Sequence, residues 1–207
     1  MSQGRPLLAA LARILSGLSI RWVGCRPEVR QRVYYANHTS HLDFLVLWSA
    51  LPREVRAFTR PVAAKDYWEV GRTRRYLAAG LFNAILVQRG NISVEGRARQ
   101  LDLLLEALGD RYSLIMFPEG TRGTGSEIAP FKSGIYHLSL RKPDLELVPV
   151  YMHNLGRILP KGECIPVPML SRIDFGAPIR VLDGEPKETF LGRAREALGS
   201  LKCACLS

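Results

Sequence analysis

Continuously apolar runs of strand length recur along this chain and constrain its fold more than any other feature. Three of them are "AILV" near residue 85, "LIMF" near residue 115 and "LVPV" near residue 148. A strand that is apolar at successive positions is buried on both faces, as strands of parallel sheets are. Helical patterns separate the runs. The sequence therefore predicts an α/β fold with a mostly parallel, twisted sheet flanked by helices.

Two further strands and several helices complete the predicted order of elements. The additional strands are "RVYYA" at 32–36 and the proline-interrupted "RAFTRPVAA". A helix follows the first of these and ends at Pro52, and the basic segment 65–80 is also predicted to be helical. The clearest helix begins at Ser93 and ends at Gly109, residue types that favour helix starts and stops. Its apolar stripe consists of Val94, Ala98, Leu101, Leu105 and Leu108.

Residues 1–24 are predicted to form an amphipathic N-terminal helix, followed by a single domain over 25–207. Arg13 and Arg21 interrupt the apolar run, which is therefore too short for the roughly 20 residues that span a bilayer. The helix could lie in a membrane interface, with Arg5 and Arg13 toward anionic headgroups, or pack on the protein's own core. The basic stretch "CRPEVRQR" that follows favours the membrane. The apolar positions at near-helical spacing are Leu7, Leu8, Leu11, Ile14, Leu15 and Leu18.

The charge balance indicates an anionic partner. Lys and Arg number 29 against 19 Asp and Glu, which gives a net charge of +10. Such an excess suits nucleic acid, an anionic membrane surface or phosphorylated substrates. Nucleic-acid binding would require aromatic side chains interleaved with basic ones on one surface, whereas most aromatics here lie in predicted strands and helices. We therefore expect no nucleic-acid partner.

The cysteines and histidines match no metal-binding pattern. No C-x-x-C pair or H-E-x-x-H motif is present, so no metal site is expected. The four cysteines are predicted to be reduced thiols in a protein that faces the cytosol. Together with the N-terminal helix, this predicts a membrane-associated protein on the cytoplasmic face. The cysteines are Cys25, Cys164, Cys203 and Cys205.

The segment "NHTSHLD" brings a histidine and an aspartate to the end of the strand 32–36. His38 lies in the loop after that strand, and Asp43 lies in the first turn of the next helix. One ring nitrogen of His38 can meet the Asp43 carboxylate, which leaves the other nitrogen to act as a base. Alternatively, Asp43 and Ser40 only cap the helix. His41 lies two residues from Asp43 along the helix and is expected to face away from it.

The segment "FPEGTRGTGS" forms a second polar cluster at a strand end. Backbone N–H groups of such a loop can turn inward to bind an anion. Arg122 adds a planar guanidinium that fits phosphate oxygens, and Thr121 adds a hydroxyl. Glu119 is expected to pair with Arg122 or to orient a substrate group. Arg89, at the end of "AILVQR", could complete a phosphate clamp, although a charge after a strand is usually solvated. An ordinary glycine-rich turn is the alternative.

Taken together and in order, these segments resemble the four sequence blocks of the glycerolipid acyltransferases of the 1-acyl-glycerol-3-phosphate (lysophosphatidic acid) type. The blocks are "NHTSHLD", "ILVQR", "FPEGTR" and "VPVYM", and the resemblance covers roughly residues 30 to 180. The first block, N-H-x-S-x-x-D in that family, is complete, and so is the third. "AAKDYW", "PFKSG" and "IDFGAPI" are similar to further segments of the family. The second block lacks the family's glycine-aromatic pattern, and only one short helix stands where members often have a hydrophobic pair.

The resemblance implies an enzyme that moves a fatty acyl group from an acyl thioester to the hydroxyl of a lysophospholipid, giving phosphatidic acid. It implies that His38 is the general base, that Asp43 holds its imidazole, and that His41 is not required. The acceptor's phosphate would be bound by Arg89, Glu119, Gly120, Thr121 and Arg122. No cofactor is implied beyond the co-substrate, acyl-CoA or an acyl carrier protein thioester. Another acceptor, such as glycerol 3-phosphate, and a non-catalytic lipid-binding protein stay open as alternatives.

Overall fold

The computed structural model describes residues 4–40, 43–68, 82–88, 90, 93–123, 127–155 and 170–203. The helices within these residues are α1 (Gly4–Leu15), α2 (Asp43–Ala50), α3 (Arg53–Ala57), α4 (Lys65–Trp68), α5 (Val94–Leu108), α6 (Gly134–Arg141) and α7 (Lys187–Cys203). The strands are β1 (Ser19–Trp22), β2 (Arg32–Ala36), β3 (Thr59–Ala64), β4 (Ile85–Val87), β5 (Ser113–Met116), β6 (Glu146–His153) and β7 (Arg172–Phe175).

The described strands form one sheet in the order β1-β7-β6-β2-β5-β3-β4. Every neighbouring pair is parallel except β6 and β7, which are antiparallel. The predicted mostly parallel sheet with flanking helices is therefore confirmed. Strand β2 lies between β5 and β6, so the loops that follow these parallel strands meet at one edge of the sheet.

The core has two halves, one on each face of the sheet. Alternate residues of β2 point to opposite faces, as the pleat of a strand requires. Tyr34 and Ala36 pack with α1 and α2, whereas Val33 and Tyr35 pack with α5, α6 and α7. All five residues of β2 are buried. The predicted continuous burial is confirmed for the apolar runs of β5 and β6, but was wrong for the run near residue 85: only Ile85 of β4 is buried, because β4 is an edge strand of the sheet.

All five predicted strands are present, but two strands, β1 and β7, were not predicted. Because β1 occupies Ser19–Trp22 at the edge of the sheet, the prediction of a helix over residues 1–24 was wrong beyond Leu15. The predicted helix limits at Ser93 and Gly109 are confirmed. The Ser93 hydroxyl accepts a hydrogen bond from the Gly96 N–H, and Gly109 ends the helix with a φ of 48°. Within the predicted stripe, Val94 is 71% exposed, because the packed face of α5 lies nearer its C-terminal end.

Helix α1 packs on the core through one face and presents an apolar stripe on the other. Ala9 and Ala12 are buried, with Ala9 in the core beside α2, whereas Leu7, Leu11 and Ile14 are 73%, 52% and 75% exposed. These three residues recur at helical spacing and are called the α1 stripe below.

Arg13 does not point away from the protein as the interfacial prediction required. Its Nε donates a hydrogen bond to the Ser49 carbonyl at 2.6 Å, and its Nη2 donates to the Leu51 carbonyl at 3.2 Å. These carbonyls lie at the C-terminal end of α2, where helix carbonyls lack helical partners and attract cations. The expectation that Arg13 faces lipid headgroups was therefore wrong.

Candidate active site

His38 and Asp43 form a hydrogen-bonded pair at the carboxyl end of β2. The Nδ1 atom of His38 lies 2.9 Å from Oδ2 of Asp43, and the Asp43 side chain is fully buried. The same carboxylate oxygen accepts hydrogen bonds from the backbone N–H groups of Thr39 and Ser40, at 2.6 and 2.8 Å. Asp43 thus folds the loop back over the start of α2, as the spacing of the two residues predicted.

The pairing fixes which nitrogen of His38 can act as a base. An ionised carboxylate only accepts hydrogen bonds, so Nδ1 donates its proton to Asp43 and Nε2 is left with a lone pair. The imidazole also stacks on the Phe117 ring, with centroids 4.4 Å apart and planes 22° from parallel. Packed on one face and hydrogen-bonded at one edge, the ring is held in a single orientation. Its side chain is 12% exposed, which leaves it accessible from the cleft.

Glu119 joins the loop of His38 to the segment that follows the Glu-Gly-Thr-Arg loop, residues 119–122. Its side chain is buried, Oε1 accepts from the backbone N–H of His38, and Oε2 accepts from the backbone N–H of Ala129, both at 2.9 Å. The Gly123 N–H donates to the His38 carbonyl at 2.8 Å. Both backbone polar groups of His38 are therefore bound to this part of the chain, which fixes the backbone that carries the imidazole relative to the loop.

A cleft opens where these loops meet. Residues from both loops line it, together with β6 and the segment after residue 126; they are Asn37, His38, Thr39, Glu119, Gly123, Glu127, Ile128 and Tyr151. Thr121 and Arg122 are exposed next to Gly123. The structure thus places the predicted base and Glu119 at the same cleft, while Thr121 and Arg122 adjoin the lining residue Gly123 without lining the cleft themselves.

Gly120 shapes the loop rather than offering its N–H to a ligand. Its φ is +73°, a conformation that glycine adopts without steric cost. Its N–H donates to the Phe117 carbonyl, which closes a tight turn immediately after β5. A Cβ at this position would lie 3.3 Å from Cγ of Lys132. Of the groups predicted to bind an anion, the Gly120 N–H is therefore already occupied, whereas the Thr121 and Arg122 side chains are exposed.

Two predicted positions lie outside the described residues. They are Arg89, the third element of the predicted phosphate clamp, and His41, the histidine expected to play no part. Both assignments stay predictions.

Asn37 and Tyr151 contribute to the site in ways that sequence reasoning did not identify. The Asn37 side chain donates to the Met152 carbonyl and accepts from the Met152 N–H, at 3.1 and 2.8 Å. These two hydrogen bonds to β6 anchor the start of the His38 loop to the neighbouring strand. Asn37 belongs to the N-H-x-S-x-x-D block, which was its only signal. Tyr151 lies in the "VPVYM" block, which was read as a buried strand and gave no indication of a cleft.

Replacing Glu119 by glutamine should reduce both stability and turnover. The amide keeps one acceptor oxygen but turns an NH2 group toward a buried backbone N–H, leaving that group unsatisfied at a cost of about 1–3 kcal/mol. Loosening the His38 loop should lower kcat, since a shift near 1 Å in a catalytic group can cost about 10²-fold. Urea unfolding and steady-state kinetics measure the two effects. The matched control is E106Q, at an exposed carboxylate on α5. A raised acceptor KM at unchanged stability would instead indicate that Glu119 contacts substrate.

Comparison with known proteins identifies relatives of this chain. A family model described as "Acyltransferase" matches residues 25–153. The 1-acyl-sn-glycerol-3-phosphate acyltransferase of Limnanthes douglasii is 28% identical over 181 residues, covering 86% of this chain and 60% of that relative. The mouse (Mus musculus) 1-acyl-sn-glycerol-3-phosphate acyltransferase alpha is 28% identical over 163 residues, covering 76% of this chain and 53% of that relative. The matches thus span little more than half of these relatives' length.

A solved structure has the same fold. The crystal structure of the 1-acyl-sn-glycerophosphate (LPA) acyltransferase PlsC from Thermotoga maritima superposes with a TM-score of 0.75 at 16% sequence identity. The superposition covers 97% of this chain and 79% of that one. The resemblance of the sequence blocks to glycerolipid acyltransferases is confirmed by these matches. The family model extends over well over half of the chain and includes His38, Asp43 and Glu119, so this protein belongs to the acyltransferase family.

Proposed function

We propose that the protein transfers a fatty acyl group from an acyl thioester to the free hydroxyl of a lysophospholipid, in the first place 1-acyl-glycerol-3-phosphate, giving phosphatidic acid. The observation behind this proposal is the pair formed by His38 Nδ1 and Asp43 Oδ2, 2.9 Å apart at a cleft shared with the Glu-Gly-Thr-Arg loop. The relatives named 1-acyl-sn-glycerol-3-phosphate acyltransferase support the choice of acceptor.

In the proposed reaction, Nε2 of His38 removes the proton from the acceptor hydroxyl as its oxygen attacks the thioester carbonyl. The tetrahedral intermediate then collapses, the C–S bond breaks, and the thiolate leaves. The proton held by His38 returns to the thiolate or to solvent. Buried Asp43 stabilises the imidazolium while it exists. A thiol titrates near 8.5, so the leaving group needs no strong general acid.

The acceptor's phosphate is assigned to the Glu-Gly-Thr-Arg loop. Arg122 and Thr121 are exposed beside the cleft, where a guanidinium and a hydroxyl suit phosphate oxygens. Glu119 supports this loop through its hydrogen bonds to backbone N–H groups instead of contacting the phosphate. Arg89 completes the proposed set. The donor is the thioester of CoA or of acyl carrier protein, with no further cofactor.

A product screen by mass spectrometry tests this function. The purified protein is incubated with one donor and one acceptor at a time. The donors are acyl-CoA and an acyl carrier protein thioester, and the acceptors are 1-acyl-glycerol-3-phosphate, glycerol 3-phosphate and lysophosphatidylcholine. Phosphatidic acid formed faster than any other product supports the proposal. Faster acylation of glycerol 3-phosphate or lysophosphatidylcholine would show that this molecule, and not 1-acyl-glycerol-3-phosphate, is the acceptor. Lipid binding with no product from any donor and acceptor pair would favour the non-catalytic lipid-binding alternative. In a separate gel-shift experiment, tight sequence-independent DNA binding would support a nucleic-acid-binding protein instead.

We further propose that the protein acts at the surface of an anionic membrane on its cytoplasmic face. None of the helices in the described part of the chain combines the length and apolar content needed to cross a bilayer. The α1 stripe offers three large aliphatic side chains to the acyl-chain boundary, and the net charge of +10 favours anionic headgroups. A lysophospholipid acceptor is itself a membrane component, so surface binding would bring the cleft to its substrate.

Replacing two residues of the α1 stripe by glutamine should weaken vesicle binding. Burying an aliphatic side chain contributes about 1.5–3 kcal/mol, so the double variant L7Q/I14Q should lower the partition constant by about tenfold or more. The measurement is sedimentation with phosphatidylglycerol vesicles. The matched control, L103Q/L140Q, removes two leucines that are each 46% exposed on α5 and α6. Equal losses in the two double variants would contradict a specific role for α1.

A further inference from the structure

Three basic side chains converge on one buried carboxylate at the edge of the sheet. Asp174 in β7 is fully buried. Its Oδ2 lies 3.0 Å from Nε2 of His153 and 3.1 Å from Nε of Arg172, and its Oδ1 lies 3.6 Å from Nε of Arg21. These four residues are called the Asp174 cluster below. They come from the neighbouring strands β1, β7 and β6 and have no part in the reaction proposed above.

Strand pairing holds the cluster in place. Arg21 is the register partner of Asp174 across β1 and β7, and His153 is the partner of Arg172 across β6 and β7. The start of β7 is fixed by Ser171, whose N–H and hydroxyl both donate to the Ser16 carbonyl, at 3.1 and 2.7 Å. The cluster is therefore built on rigid backbone.

The cluster adjoins the catalytic cleft through Tyr151. This residue lines the cleft together with His38, and its ring centroid lies 4.6 Å from that of His153. In the sheet, β2 lies between β5 on one side and β6, β7 and β1 on the other. The Glu-Gly-Thr-Arg loop follows β5, so the loop and the cluster flank His38 from opposite sides.

The charges of the cluster do not cancel. Two guanidinium groups, which stay charged at any physiological pH, face one carboxylate. Burial, with the nearby charge of Arg172, lowers the pKa of His153 below its usual value despite the opposing effect of Asp174. Counted over these four residues alone, two guanidinium groups, one carboxylate and a neutral imidazole leave one positive charge in excess.

Arg21 is the member of the cluster best placed to meet a ligand. Its side chain is 43% exposed, and its Nε is too far from Oδ1 of Asp174 for a hydrogen bond. That carboxylate oxygen has no hydrogen-bond partner in the described part of the chain. Arg21 is therefore held by charge attraction without a directional bond, and its guanidinium can turn toward an incoming anion.

We propose that the Asp174 cluster binds a phosphate group of the acyl donor. This inference rests on the proposed function, in which two phosphorylated molecules, the acceptor and the thioester donor, react at His38. They must reach it from different directions, and the structure places a cationic group on each side of it. Guanidinium groups held on rigid strands are suited to phosphate oxygens. Asp174 attracts the guanidinium of Arg172, whose Nη2 also lies 3.3 Å from Nε2 of His153, and Arg21 supplies donors at the surface.

Calorimetric titration of the 207-residue chain with CoA tests the proposal without requiring turnover. The variants R21Q and R172Q should each bind CoA about tenfold or more weakly, as expected for loss of a charge-assisted hydrogen bond. The KM for acyl-CoA should rise in parallel, while the KM for the acceptor stays unchanged. The control R99Q removes the same charge from an exposed position on α5. Thermal melting checks that each variant is folded, and exposed Arg21 should tolerate replacement even if R172Q does not fold.

Several outcomes would overturn the proposal. One is that R21Q binds CoA as strongly as the unchanged protein, and another is that the unchanged protein does not bind CoA. The proposal also fails if the variants raise only the KM for the acceptor or weaken only vesicle binding. Titration of His153 by NMR provides an independent check, because a bound phosphate should raise its pKa whereas a purely structural cluster should not respond to CoA. Normal CoA binding in a protein that makes no acylated product would contradict the proposed function and leave the CoA site standing.

Discussion

Replacing His38 by alanine is expected to lower kcat by about 10²- to 10⁴-fold, the range that a positioned general base contributes. The fold should survive, because the groups that attach this residue to its surroundings belong to the backbone. Its N–H donates to Glu119 and its carbonyl accepts from Gly123, and alanine keeps both bonds. What alanine removes is the imidazole, which stacks on Phe117, lines the cleft and keeps a lone pair on Nε2 because Nδ1 is bonded to Asp43.

Two other histidines serve as controls for this variant. H41A tests the nearby histidine that the sequence assigns no role, and H137A removes an exposed imidazole from α6. Both should turn over at close to the unchanged rate, measured by release of free thiol from acyl-CoA with saturating acceptor. Equal losses in H38A and H41A would show that the base had been wrongly assigned. Undiminished activity in H38A would exclude general-base catalysis by this residue altogether.

The parts of the fold that could be predicted are those that local sequence encodes. Strands β2, β5 and β6 are buried at nearly every position, and each contains a run of apolar residues that marks it in the sequence. Strand β1 has four residues with alternating partial exposure and follows leucines at helical spacing, so the helical pattern masked it. Strand β7 contains a buried aspartate that interrupts its apolar character. This buried carboxylate is stabilised in the strand by Arg21 and His153, and only the pairing of β7 with β1 and β6 brings these two residues to it.

The same distinction applies to the site. His38 and Asp43 are five residues apart, so their contact follows from one turn of the chain. The contact between Glu119 and the His38 N–H joins residues 81 apart, and the donor is a backbone group that every residue type except proline possesses. No residue pattern could have indicated it. Tyr151 and His153 reach the cleft region because β6 lies next to β2, a neighbour relation that the order of strands along the sequence does not determine.

Asp43→Asn is expected to lower kcat on the order of 10³- to 10⁴-fold, the scale found when an aspartate that orients a catalytic histidine becomes an amide. Oδ2 of Asp43 currently accepts from His38 Nδ1 and from the N–H groups of Thr39 and Ser40. An asparagine oxygen can keep these backbone bonds but has no charge to stabilise the imidazolium. If the amide turns, its NH2 group faces Nδ1, which must then accept, and the proton moves to Nε2 where it blocks the base.

Asparagine separates this electrostatic role from the structural one better than alanine does. Alanine would leave three buried donors without an acceptor, at about 1–3 kcal/mol each, and would confound lost activity with a disordered loop. With D43N, urea unfolding should show a modest loss of stability while kcat falls steeply and the KM values for both substrates change little. The informative comparison is with H38A, because two residues that act as one unit have non-additive effects. The double variant H38A/D43N should be no slower than H38A alone, and a further large loss in the double variant would mean that Asp43 does not act through His38.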